Sequence, residues 1–209
     1  GAGGLASINF AGTSSLNGGG IYTIGNQTYT GAVSLGADNS IESTTGNILF
    51  SSTINGDQTL EINNGSSTGS VTFAGTIGNL NAVSELSVFG DAGININTTG
   101  ITTTGEQSYN DATNLGANTT LTTSNSAITF GDTVTGGANN LSMDTGTGDI
   151  TFSGAVSGIT ALSNTAAGAF TFADTVSVGS ANLIGTTFSV QNGFTTTAGN
   201  LAIDNSGLF

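Results

Sequence analysis

The chain has 209 residues, 34 of them Gly, and lacks Lys, Arg, His, Pro, Cys and Trp. Thirteen Asp and Glu set its formal charge at −13, so it has no cation to neutralise a nucleic-acid phosphate and is repelled by anionic lipid. With 6% charged and 36% hydrophobic residues it is also unlike a disordered acidic chain, no apolar run approaches a membrane span, and its stability owes nothing to disulfides.

Short apolar-polar-apolar triplets recur along the chain. In order they are Ile8-Asn-Phe10, Ile48-Leu-Phe50, Val71-Thr-Phe73, Ile94-Asn-Ile96, Ile128-Thr-Phe130, Ile150-Thr-Phe152, Phe170-Thr-Phe172 and Phe188-Ser-Val190. Alternation over three residues predicts a short strand with one buried face. Successive starts are separated by 40, 23, 23, 34, 22, 20 and 18 residues. The short gaps cluster near 20, the 40 reads as two units, and the 34 holds a deviating stretch from Ile101 to Leu121. The fullest single unit runs from Asn140 to Gly158. There Leu141 and Met143, then Ile150 and Phe152, then Val156 alternate with polar residues between glycines that permit tight corners.

A longer repeat lies over the short one. Ile21-Tyr-Thr-Ile-Gly-Asn-Gln-Thr-Tyr29 matches Ile101-Thr-Thr-Thr-Gly-Glu-Gln-Ser-Tyr109 at an offset of 80 (101 − 21), and Leu35-Gly-Ala37 matches Leu115-Gly-Ala117. A third copy begins at Phe194, 93 residues after Ile101, which calls for one added turn and shortened corners. The copies span 21–100, 101–193 and 194–209, and 80 residues correspond to roughly four turns of about 20.

A unit of this size cannot bury its apolar face alone, and it has no room for a helix. Stacked at the strand spacing of about 4.8 Å, such units give parallel sheets lining one core. The expected fold is all-β: a right-handed parallel β-helix (β-solenoid), continuous over 1–209, about 20 residues per turn and uncapped at both ends. About ten turns would make a rod on the order of 50 Å long. A β-sandwich also uses short alternating strands, but does not require self-similar units. The absence of Pro fits strands that all need their N–H in a ladder. Repeat sequence already at Leu5 to Phe10, and again from Leu201 to the end, predicts a slice of a longer protein or a subunit covered by neighbours. The start at Gly1 without Met points the same way.

The pattern Leu-x-ϕ-x-x-x-x-Gly-x-Ile-Thr-Phe-x-Gly-x-Val-x-Gly, carried by Leu141 to Gly158 and with a longer corner by Leu60 to Gly78, resembles repeat regions of large bacterial surface proteins of the filamentous-haemagglutinin and autotransporter-adhesin type. The Ile-Thr-Thr-Thr-Gly-x-Gln-x-Tyr box looks similar to the same repeats. The resemblance implies a non-enzymatic shaft of an extracellular, cell-surface fibre, secreted through the outer membrane. The family's shafts bring no catalytic residue to carry over. The missing caps point to the chain's own flanking turns or end-to-end copies as partners, and no cofactor or dedicated metal site is expected.

Candidate sites are few. A polysaccharide lyase would need a cation and a basic residue, and neither exists here. A hydrolase would need two carboxylates, for which Asp144 with Asp149 or Asp57 with Glu61 are the options, each beside a glycine corner where Asp is favoured on local grounds. Calcium would need several convergent oxygens, and Thr147-Gly-Asp149 occurs once, so weak incidental binding is the expectation. The Thr runs 102–104, 119–123 and 195–197 raise ice binding, although they do not recur on every turn. Tyr29 and Tyr109 raise glycan stacking, against the expectation that each packs over a corner with its hydroxyl in water.

Overall fold

The computed structural model describes residues 5–64 and 69–205. The chain forms a β-solenoid of about 9 turns with roughly 21 residues per turn. No helix occurs among the described residues. Each turn passes over three faces, most turns lay one strand on each, and every pairing between turns among the described residues is parallel.

The first face carries Ile8–Phe10, Gln27–Tyr29, Ile48–Phe50, Val71–Phe73, Ile94–Ile96, Thr113–Leu115 and Val134–Thr135, then the starts of Val156–Asn164 and Val176–Gly185, then Phe194–Thr196. The second face begins with Ser14–Leu16, Val33–Leu35 and Ile54–Asn55. It passes through single bridges at Ile77 and continues with Gly100–Thr102, Thr119–Thr122, Leu141–Asp144, the ends of the two long strands and Leu201–Asn205. The third face runs from Gly19–Thr23 through Asn39–Ser43, Thr59–Asn64, Glu85–Gly90, Gln107–Tyr109, Ile128–Phe130, Ile150–Phe152 and Ala169–Phe172 to Thr187–Val190.

In-register pairing stacks like on like. Ile128, Ile150 and Phe170 form one inward column, while Phe130, Phe152 and Phe172 form the next. The interior is a single cluster of Ile, Val, Leu and aromatic side chains, most of them at or near zero exposure. Close stacking also constrains the corners. A Cβ on Gly46 or Gly75 would run into the backbone of the preceding turn at Gly25 or Ser52.

The topology explains the irregular gaps between triplets. The gap of 40 is two whole turns, Ile8 to Gln27 to Ile48. The gap of 34 is different: Ile94 lies on the first face and Ile128 on the third. The triplet has moved from one face to another. The 80-residue repeat shows the same step. Gln27–Tyr29 lies on the first face and Gln107–Tyr109 on the third, eleven strand positions later. The copies therefore stand three and two-thirds turns apart, where sequence spacing suggested roughly four. Phe194, where the sequence pattern starts a third copy over 194–209, lies on the first face, and residues 206–209 lie outside the described residues.

Candidate functional site

Outward positions on the three faces carry mostly small polar side chains, with larger ones at Tyr22, Leu49 and Phe89. On the third face one column reads Ser40, Glu61, Ser87, Ser108, Thr129, Thr151, Thr171 and Ser189. The middle of the first face carries Thr72, Asn95 and Asn114, where the Asn95 amide donates to Thr72 Oγ1 at 3.3 Å. Many corner Asn and Asp side chains cap the adjacent turn. Asn26 Oδ1 accepts from Asn47 N–H at 2.8 Å, Asp38 Oδ1 from Thr59 N–H at 2.8 Å, and Asn118 Oδ1 from Asn140 N–H at 2.8 Å. Each such bond replaces water on an N–H that the ladder leaves open, and so ties one turn to the next.

Three of the four carboxylates considered for hydrolysis, Asp57, Asp144 and Asp149, sit at these corners. Asp144 ends a second-face strand and accepts from Gly146 N–H at 3.3 Å, while Asp149 Oδ1 accepts from Ala169 N–H of the next turn at 2.7 Å. Asp57 sits at a corner and accepts from the Gln58 amide at 3.0 Å, whereas Glu61 projects from the middle of a third-face strand. A recess of about 270 Å³ is lined by Asp38, Ser40, Thr59 and Glu61 without Asp57. No group of three or more metal-ligating side chains is gathered among the described residues. Thr147 donates both its N–H and its hydroxyl to Asn125 Oδ1, so the Thr147-Gly-Asp149 segment is a corner.

The Thr runs do not make one surface. Thr103, Thr119 and Thr123 point inward and are buried. Thr102 pairs with Thr122, whose next partner is Asp144, and Thr195 stands beside Ser177 on another face. The continuous threonine column is Thr129, Thr151 and Thr171. Its signal in the sequence is not a run of consecutive Thr. It is the centre of each Ile-Thr-Phe or Phe-Thr-Phe triplet, at spacings of 22 and 20.

Tyr29 and Tyr109 correct the expectation of a hydroxyl in water. Both rings are fully buried. Tyr29 Oη donates to Gln27 Oε1 at 2.8 Å, and Tyr109 Oη to Gln107 Oε1 at 2.9 Å. A spacing of two residues turns Gln and Tyr to the same inward side of one strand, so the amide satisfies the phenol inside the core. Burial pushes both phenols well above their ordinary pKa. Neither tyrosine is available to stack on a sugar.

At the axial edge Thr187–Asn205 it is inward-facing apolar positions that are open, whereas on the sides large apolar side chains such as Leu80 and Phe89 are exposed singly. Val190, Leu201 and Ile203 are exposed at 39%, 43% and 45%, whereas Leu183, one strand inward from Ile203, is at 0%. Phe188 and Phe194 are only half-buried. At the opposite edge Ile8 and Phe10 are half-buried and Leu5 is exposed. Both edges offer apolar inward positions and open strand ladders of matching three-sided geometry. Comparison with known proteins returns no matching family, no matching curated protein and no matching solved structure.

Proposed function

We propose that this chain is a length of structural shaft, non-enzymatic, in an extracellular bacterial fibre or adhesin of the filamentous-haemagglutinin and autotransporter type. The observation that carries the reading is the contrast between edge and side. At the axial edge the inward-facing Leu201 and Ile203 stand open together, while the sides carry mostly dispersed hydroxyls, amides and corner carboxylates, with large apolar side chains exposed singly at Leu80 and Phe89. The fitting partner for such an edge is another coil of the same geometry, either the chain's own flanking turns or an end-to-end copy. A head-to-tail contact of this kind does not close and so propagates a filament. The charge of −13 keeps neighbouring shafts apart and soluble, gives nucleic acid and anionic membranes no purchase, and leaves calcium only weak incidental binding. The absence of Lys and Arg removes every trypsin site.

The test is sedimentation over a wide concentration range, comparing the parent with Leu201→Asp and Ile203→Asp. Growing axial species in the parent, abolished by either charge, are expected. A parent that stays a single dispersed species at high concentration contradicts end-to-end stacking of this chain. A second reading, an ice- or glycan-binding face, rests on the Thr129–Thr151–Thr171 column. It predicts thermal hysteresis or glycan retention that Thr151→Val removes.

A further inference from the structure

We infer that the coil is built from a screw module of eleven strand positions, that all three faces accept it, and that its register is keyed by a buried Thr–Gln–Tyr box. In the first copy Gln27 Nε2 donates to Ile21 O at 3.2 Å, Thr23 Oγ1 at 3.1 Å and Glu42 O of the next turn at 2.6 Å. Thr23 Oγ1 donates to Gly25 O at 2.6 Å, and Tyr29 closes the box on Gln27. In the second copy Gln107 Nε2 donates to Ile101 O at 3.3 Å, Thr103 Oγ1 at 3.3 Å and Thr122 O at 2.9 Å. Thr103 Oγ1 donates to Gly105 O at 2.6 Å, and Tyr109 closes on Gln107. The two boxes match bond for bond. Yet one sits where the third face turns into the first, and the other where the second turns into the third. The surroundings that make the box are therefore carried by the module and not by the face.

What repeats at the offset of 80 is the lining. Thr23, Gln27, Tyr29 and Phe50 are matched inward by Thr103, Gln107, Tyr109 and Phe130, while outward Tyr22, Glu42 and Leu49 are replaced by Thr residues 102, 122 and 129. This is a folding unit, with no ligand site in common. The box has a task that apolar rungs cannot perform. A slip of two residues between turns keeps every Ile and Phe inward, so hydrophobic burial alone tolerates it. The Gln amide finds carbonyls on two turns in one register only, and a buried amide without them is heavily penalised. Each module also rotates the start of its successor by one face: Ile21 lies on the third face, Ile101 on the second and Phe194 on the first. The second module carries one added whole turn, which leaves that rotation unchanged.

Two measurements decide the matter. Deleting residues 21–100 joins Gly20 to Ile101 and shifts all later strands by one face. It should leave a shorter rod with cooperative melting. Deleting 27–93 removes three whole turns and preserves face identity. If the second deletion folds and the first does not, faces are not interchangeable and the module is refuted. The key is read with spin labels at Ser108→Cys and Thr129→Cys, which pair directly across the two turns that Gln107 ties, in a chain free of other cysteines. Strong exchange coupling is expected in the parent box. Gln107→Leu should keep its strand content and lose most of that coupling, while Tyr109→Phe should lose only part. Coupling that is unchanged in Gln107→Leu overturns the register role, whatever the deletions show.

Discussion

Two columns of stacked aromatic rings run through the coil, and they lie on different faces. In the N-terminal half Phe10, Tyr29, Phe50 and Phe73 stack on the first face, with centroids 5.3, 4.6 and 5.7 Å apart. In the C-terminal half Tyr109, Phe130, Phe152 and Phe172 stack on the third, at 5.1, 4.8 and 5.2 Å. Between them the first face continues with Ile96 and Leu115. The columns share their composition, their ring spacing and a tyrosine bonded to an inward Gln. The difference teaches that the lining of this coil obeys the count of residues along the chain, and that a face has no fixed identity.

Substitutions at matched positions can break or sharpen that equivalence. The largest effect is expected for Phe50→Ala and Phe130→Ala, each ring being buried between two others. Each should lose about 3–5 kcal/mol in denaturant unfolding, the usual cost of emptying an aromatic site in a core. Unequal losses would show that one face supports its column better than the other. Next come Tyr29→Phe and Tyr109→Phe, which strand a buried Gln oxygen at a cost of about 1–3 kcal/mol. The two losses should match, because the two boxes have the same bonds.

The alkaline limb should also be shared. Burial raises both phenols, so the folded chain holds protons that the unfolded chain releases near its ordinary pKa of about 10. Stability from these groups is complete below that pH and falls as pH rises beyond it. Thermal melts between pH 8 and 12 should show the decline, and replacing both tyrosines by Phe should flatten it. The smallest effect is expected outside the coil. Thr151→Ala on the outward column should change stability by no more than about 0.5 kcal/mol.

Much of the fold is legible in the sequence because parallel in-register stacking writes each turn as a similar line of text. The triplets are strands of the structure, and a unit near 20 residues is its turn. Face assignment is not legible. Ile94-Asn-Ile96 and Ile128-Thr-Phe130 read alike, and only the corners between them decide that one lies on the first face and the other on the third. Tyr29 and Tyr109 mislead because a phenol usually seeks water. The Gln two residues earlier, which supplies the interior acceptor, is the signal to weigh. Leu201 and Ile203 read in the sequence as ordinary repeat residues, and their exposure is visible only when they are set against buried Leu183.

Electron microscopy of the purified protein tests the central claim most directly. A shaft that propagates through its edges should give unbranched filaments one coil wide, with an axial repeat near 4.8 Å in diffraction. Uniform rods of about 45 Å that never lengthen with concentration would contradict axial stacking of this chain and favour the Thr129–Thr151–Thr171 face as the working surface.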